Sequence, residues 1–209
     1  MRKKITVLKN GRLLDCVGKK ARDGISVTVE DGIIKNISNN TKDIPSDADA
    51  IDLNSRTIMP GLIEGHMHLA LSRLDLDAHA LQPAIITADW IIKNCKRLLD
   101  SGFTTVCDGG LANAGLKNAI ENRIIKGPRL FISNTWLTAT GGHLDRLKGV
   151  VQADYLSYYN GLYSLPRIVD GTSDATKAAR EQLLYGADFI KVTGTSQAPQ
   201  VSPEFSEDE

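Results

Sequence analysis

Two histidines two residues apart, His66 and His68, stand at the end of an apolar stretch, Leu62-Ile63-Glu64-Gly65-His66-Met67-His68, that reads as a buried strand. In an extended chain alternate side chains share a face, so both imidazoles point one way and Met67 the other. Two ring nitrogens so placed can share one divalent cation, and zinc suits such ligands while keeping a position open for water. By itself, a His-x-His pair is a weak signal, more often two hydrogen-bonded strand histidines than a metal site, so further groups must decide. Lys191 ends a second apolar strand, Phe189-Ile190-Lys191-Val192. A lysine at such a place usually extends its stem to solvent. His143, in Thr140-Gly141-Gly142-His143, lies in a long connection over residues 134–170 that also carries Tyr155, Tyr158, Tyr159 and Tyr163. Connections of that length are usually functional or disordered. His79 has no such context and reads as a surface residue.

These groups need a frame. From Thr57 onward one unit recurs: helix, glycine, apolar strand. Thr57-Ile58 and Leu62-Ile63 read as the first strand. Ile91, Ile92, Cys95, Leu98 and Leu99 fall at helical spacing, Gly102 supplies a left-handed stop, and Phe103-Thr104-Thr105-Val106 follows as a strand. Leu116, Ile120, Ile124 and Ile125 mark a second helix, closed by Gly127-Pro128 before the strand Arg129-Leu130-Phe131-Ile132. Ala175, Ala178, Ala179, Gln182 and Leu183 mark a third, closed by Gly186 ahead of the strand holding Lys191. Strands alternating with helices pair in parallel, either in an open doubly wound sheet or in a (β/α)8 barrel. No Gly-x-Gly-x-x-Gly follows the first strand, which disfavours the open nucleotide-binding sheet. A full barrel needs about 250 residues, more than this chain holds. Ser206-Glu207-Asp208-Glu209 has the pattern of a helix start. The expectation is an α/β chain whose residues 57–209 form the first half of a (β/α)8 TIM-type barrel, truncated after the fourth strand.

Residues 1–56 have a different style. Ile5-Thr6-Val7 leads to the turn signal Asn10-Gly11, and Gly24-Ile25-Ser26-Val27-Thr28-Val29 is joined through Asp31-Gly32 to Ile33-Ile34-Lys35-Asn36-Ile37. Short alternating runs separated by Asn-Gly and Asp-Gly predict hairpins, hence a small antiparallel β-sandwich segment.

Composition narrows the function. Lys+Arg and Asp+Glu balance at 25 each, so no charge excess argues for nucleic acid or a membrane surface. No run approaches the roughly 18 apolar residues of a membrane span. The three cysteines, Cys16, Cys95 and Cys107, make no Cys-x-x-Cys pair; they suit a reduced compartment, and a cytoplasmic location is expected.

The string Pro60-Gly61-Leu62-Ile63-Glu64-Gly65-His66-Met67-His68 resembles the first-strand signature of the amidohydrolase superfamily, and Gly186-Ala187-Asp188-Phe189-Ile190-Lys191-Val192 resembles its fourth strand. Gly141-Gly142-His143 is similar to a segment of the branch holding imidazolonepropionase-like enzymes and Xaa-Pro dipeptidases. The resemblance covers nearly the whole chain and reads as the N-terminal half of such a protein. It implies a metal-dependent hydrolase of carbon–nitrogen bonds: amides, cyclic amides or small dipeptides. His66 and His68 would bind the more buried of one or two divalent ions, zinc by preference. Lys191 would be carbamylated and bridge two metals, and His143 would touch substrate. Glu64 stands where the family usually has Asp, on the histidine face. Asp108, before Gly109-Gly110, matches a common family feature, although the Arg often preceding it is Cys107 here. The family's remaining metal histidines and its general-base aspartate come from later strands and are not expected within these residues. The alternative is a catalytically incomplete fragment, or a non-catalytic relative acting as an assembly module. Partners implied are a small amide or dipeptide substrate and copies of the full-length protein.

Overall fold

The computed structural model of the chain describes residues 4–18, 20–39, 44–75, 78–79, 82–145 and 166–194. The helix start expected at 206–209 and the four tyrosines of the 134–170 connection lie outside the described residues. Two compact units divide the chain, Met1–Pro60 and Gly61–Glu209.

The first unit is one sheet. Its strands are β1 (Ile5–Leu13), β2 (Arg22–Glu30), β3 (Ile33–Ser38), β4 (Asp49–Asp52) and β5 (Thr57–Ile58), in the order β3-β2-β1-β4 with β5 also on β1. Asp31 and Gly32 turn β2 into β3 with φ of 50° and 82°, the positive pair a tight hairpin requires. Three expectations are corrected here. The pairings of β4 and β5 with β1 are parallel, so the unit is mixed rather than wholly antiparallel, and its described strands form one sheet. Asn10-Gly11 does not reverse the chain; it forms a bulge inside β1, where Asn10 takes φ 57° and the register with β2 shifts after Leu8. A Cβ at Gly11 would lie 2.6 Å from Ile58 Cδ1, so the missing side chain lets β5 approach. Finally, Thr57-Ile58 does not join the strand of His66. It pairs with Arg12 and Leu13, and Ile58 packs against the cluster Leu13, Ile25 and Val27.

The second unit alternates as expected. It comprises β6 (Leu62–Met67), α1 (Ala84–Asp100), β7 (Phe103–Asp108), α2 (Ala114–Glu121), β8 (Arg129–Ile132), β9 (Trp136–Thr138), β10 (Arg167–Ile168), α3 (Gly171–Leu184) and β11 (Lys191–Val192). All pairings are parallel, in two sheets ordered β6-β7-β8 and β10-β9-β11. The third strand region is thus split. Asn134 takes φ 62° between β8 and β9, and its side chain accepts from the Ala114 N–H and donates to the Gln182 and Tyr185 carbonyls. Asp188 N–H donates to Ile132 O, and its carboxylate accepts from the Ile132 N–H, so the chain entering β11 lies against β8. Two short strands, β9 and β10, occupy what reads in sequence as a structureless connection.

Helix faces follow the periodicity where neighbours cover them. In α1, Ile91 and Cys95 are buried while Ile92 is exposed; α2 buries Leu116 and Ile120 but stops before Ile124, which is exposed. Asn113 caps α2 by accepting from Leu116 N–H. Burial pushes the Cys95 thiol up to about 11, as befits a small core hydrophobe. The core gathers Leu69, Ile91, Val106, Leu116, Leu130, Ile132 and Trp136. One strand departs from expectation: β6 pairs only with β7 among the described residues, and Leu62 and Ile63 are exposed, Ile63 at 68%. Burial of a strand depends on a neighbour at each edge and a layer on each face, and periodicity reports neither.

His79 is the opposite correction. It is 1% exposed, with Nδ1 3.0 Å from Ser72 Oγ, in a network where Gln82 donates to Ser72 and Thr87 and accepts from Arg73. Those partners come from the approach to α1 and its first turn, which is why an isolated histidine in sequence reads as surface.

Candidate functional site

A cleft of about 440 Å³ in the second unit is lined by His66, His68, His143 and Lys191, with Leu71, Trp136, Leu144 and Thr193 among its other walls. The structure therefore brings all four of the residues singled out in sequence to one concavity, from β6, from the turn after β9, and from β11.

His66 and His68 have ring centroids 5.4 Å apart, nearly perpendicular at 82°. Two imidazoles on one tetrahedral zinc have centroids about 5 Å apart, given Zn–N bonds of roughly 2 Å, so the pair fits a shared cation. The two rings differ in their support. His68 is part-buried, and its Nδ1 lies 3.1 Å from Gly110 O. A carbonyl only accepts, so Nδ1 carries the proton of that bond and Nε2 keeps a lone pair, the arrangement of a metal-ligating histidine. Burial lowers the His68 pKa, Gly110 opposes that fall, and charge on His66 and Lys191 adds to it, which favours the neutral ring. On its other side Trp136 packs edge-on, with centroids 5.2 Å apart. His66 is exposed, and its backbone N–H donates to Glu64 Oε1 at 3.0 Å. Glu64 thus turns its carboxylate back onto its own strand.

Behind His68 lies Asp108, the last residue of β7 and fully buried. Its Oδ2 accepts from Leu69 N–H at 2.6 Å, and its Oδ1 accepts from Gly110 and Ala112 N–H at 2.9 and 3.2 Å. Burial pushes its carboxyl up to about 7, against the three N–H groups that favour the anion. The two glycines that follow are dictated by contact. A Cβ at Gly109 would stand 3.1 Å from the His66 ring. At Gly110, where φ is 132°, a Cβ would fall inside the Trp136 indole.

Lys191 pairs in register with Trp136, whose ring reaches His68, so the β9–β11 pairing carries the lysine toward the histidines. Asp188 anchors the approach by its ion pair with Lys117 at 2.6 Å and its bonds to Ile132. His143 sits exposed on a turn fixed from both sides. Gly141 N–H donates to Asp145 Oδ2, Thr140 N–H and Oγ1–H donate to Asp170, and Gly142 N–H donates to Ala139 O. The sequence gives no hint of Trp136 or Thr193: both sit in segments without periodicity, and their place in the cleft follows from pairing with residues far along the chain. Among the described residues no three His, Cys, Asp or Glu side chains cluster as a complete metal site. No helix among them is long and apolar enough to cross a membrane.

Residues 57–209 match the model of the amidohydrolase family, and the chain belongs to that family. A solved prolidase in complex with N-methylphosphonate-L-proline is 32% identical, with a TM-score of 0.87 over 98% of this chain and 51% of the other. A Xaa-Pro dipeptidase structure with bound methionine gives 25% identity and a TM-score of 0.77 over 98% of this chain and 52% of the other. Ochratoxinase of Aspergillus niger is 25% identical over 98% of this chain and 45% of its own length. The chain spans about half the length of the relatives it matches, and its α/β architecture is similar to the N-terminal part of amidohydrolase barrels.

Proposed function

We propose that this chain carries one side of the active site of a metal-dependent hydrolase acting on carbon–nitrogen bonds, with a small amide, cyclic amide or dipeptide as substrate. The observation that carries the reading is the convergence of His66, His68, Lys191 and His143 on one cleft. The names of the prolidase, dipeptidase and ochratoxinase relatives support the same bond class. In this reading residues 1–56 are the β-sandwich segment and residues 57–209 the first strands and helices of a (β/α)8 barrel; the division of the chain into two compact units near this point supports it.

The donor set fits zinc: two imidazoles, one with its tautomer set by Gly110, and a lysine amine nearby. One or two divalent ions, when bound, would bring the pKa of water toward neutrality and polarise the scissile carbonyl. His66 and His68 would hold one ion. The Lys191 amine would add to carbon dioxide, forming an N–C bond and releasing a proton to solvent, and the resulting carbamate would supply an anionic ligand for a second ion. Trp136 and Leu144 exclude water from the floor, and exposed His143 contacts the substrate. The protein works in the cytoplasm.

The test is metal uptake by the full chain after incubation with zinc and bicarbonate, followed by desalting and elemental analysis. One or two equivalents are expected, lost in the His66→Ala, His68→Ala double variant and halved in Lys191→Ala. A folded chain that takes up no zinc, or a double variant that retains it, sinks the reading and leaves the assembly module in its place. Turnover of a panel of Xaa-Pro dipeptides and hydantoins then tests the substrate class.

A further inference from the structure

We infer that Asp108 is the positioning residue of this site: its buried carboxyl ties the backbone on both sides of the His68 ring and so presets the tautomer and aim of that imidazole. The bonds close a circuit. From the His68 backbone the chain runs to Leu69, whose N–H donates to Asp108 Oδ2; Oδ1 accepts from Gly110 N–H; and Gly110 O accepts from the His68 ring. Ala112 N–H adds a second bond to Oδ1, fixing the loop that presents the Gly110 carbonyl. Among the described residues the bonds of this carboxyl go to backbone N–H groups, and Leu69, Leu111 and Ala112, which supply or flank them, belong to the apolar core. A buried carboxyl carries a desolvation cost that an apolar side chain would avoid. Stability alone does not explain it, whereas the closed circuit gives it a purpose. The remaining freedom of His68, rotation out of the circuit, is blocked by the Trp136 edge, which reaches that position only because residue 110 has no side chain. Among the described residues no such circuit reaches the ring of His66, two residues away, which marks His68 as the fixed member of the pair.

The inference rests on the reading of His68 as a metal ligand, but its test does not need the metal. Nitrogen-15 correlation spectra of the metal-free full chain at pH 8 report which ring nitrogen of His68 carries the proton. In the wild type it is Nδ1; a proton on Nε2 overturns the proposal without any variant. In Asp108→Asn the amide group cannot accept from both turns, so the Nε2–H form of His68 rises several-fold, and zinc affinity falls about 10- to 100-fold, the usual effect of losing an outer partner. A folded Asp108→Asn chain with the wild-type tautomer overturns it. Should circular dichroism show that variant unfolded, replacing the Leu69 amide by an ester removes the N–H donated to Oδ2, and otherwise only weakens the His68 carbonyl that accepts from Leu71 N–H. The same tautomer shift is then expected, and its absence overturns the proposal. A tautomer shift in a chain that never binds zinc leaves the positioning role standing and removes the ligand reading.

Discussion

The two walls of the cleft are held in opposite ways. On the β6–β7 wall the carboxyl doing the holding, Asp108, is fully buried, its bonds pass through backbone to one imidazole, and the glycines beside it are packed against rings. On the wall built from β9, β11 and the 140s turn, the carboxylates are more open. Asp170 holds Thr140 and Asp188 holds Ile132 and Lys117, and each is bonded to the backbone of a segment near His143 or Lys191 rather than to the side chain of either. The difference teaches where geometry must be exact. On the proposed reading a cation needs its ligands set before it arrives, and the buried wall is the one that presets an imidazole.

The largest effect that would sharpen this contrast comes from a pair of glycine substitutions. Gly110→Ala places a methyl within the Trp136 indole at a φ of 132°, so steric overlap and backbone strain together cost about 3 kcal/mol. Gly194, which lines the other wall, has nothing within 4 Å of a Cβ, so Gly194→Ala changes stability by no more than about 0.5 kcal/mol. Urea unfolding of both variants measures the gap; equal losses would show that the two walls are equally tight.

A second comparison uses pH, because the two holding carboxyls are shifted in opposite directions. Burial raises Asp108 to about 7, so the folded chain binds that proton more tightly than the unfolded chain, whose carboxyl titrates near 3.8. The stabilisation from this group is complete below about 4 and is lost as pH rises through about 7. The hydrogen bonds from Thr140 lower the pKa of Asp170, so its contribution is present above 3.8 and lost only as pH falls below it. Unfolding free energies of the metal-free chain between pH 8 and pH 5, wild type minus Asp108→Asn, should grow toward pH 5, while wild type minus Asp170→Asn should stay flat. A flat difference for Asp108 would mean that its three N–H bonds outweigh burial.

Much of this contrast was legible in the residues and some was not. His66, His68 and Lys191 were visible because strand alternation and helix–glycine–strand recurrence are local patterns, His143 stood out by its Gly-Gly-His setting in a long connection, and the family resemblance followed from the string around His66. Long-range pairing hid the rest. Thr57-Ile58 reads as a start for β6, yet Ile58 finds its apolar partners on β1 and β2. Asn10-Gly11 carries a turn signal that the approach of Ile58 converts into a bulge. His79 looked exposed because Ser72 and Gln82, its neighbours in space, surround a bend that no periodicity marks. Trp136 lay in an apparent loop, and only its pairing with Lys191 makes it the bridge between the two walls.

The smallest predicted effect is the sharpest check on how the walls divide their work. His143 is exposed, and the turn beneath it is held by Asp145, Asp170 and Gly142 through backbone atoms, none of which involve its imidazole. Removing the ring in His143→Ala should therefore leave stability within about 0.5 kcal/mol of wild type and zinc uptake unchanged, while weakening binding of a proline-containing dipeptide followed by isothermal titration on the zinc-loaded chain. Loss of zinc in that variant would make His143 a ligand and erase the distinction between a wall that fixes the cation and a wall that meets the substrate.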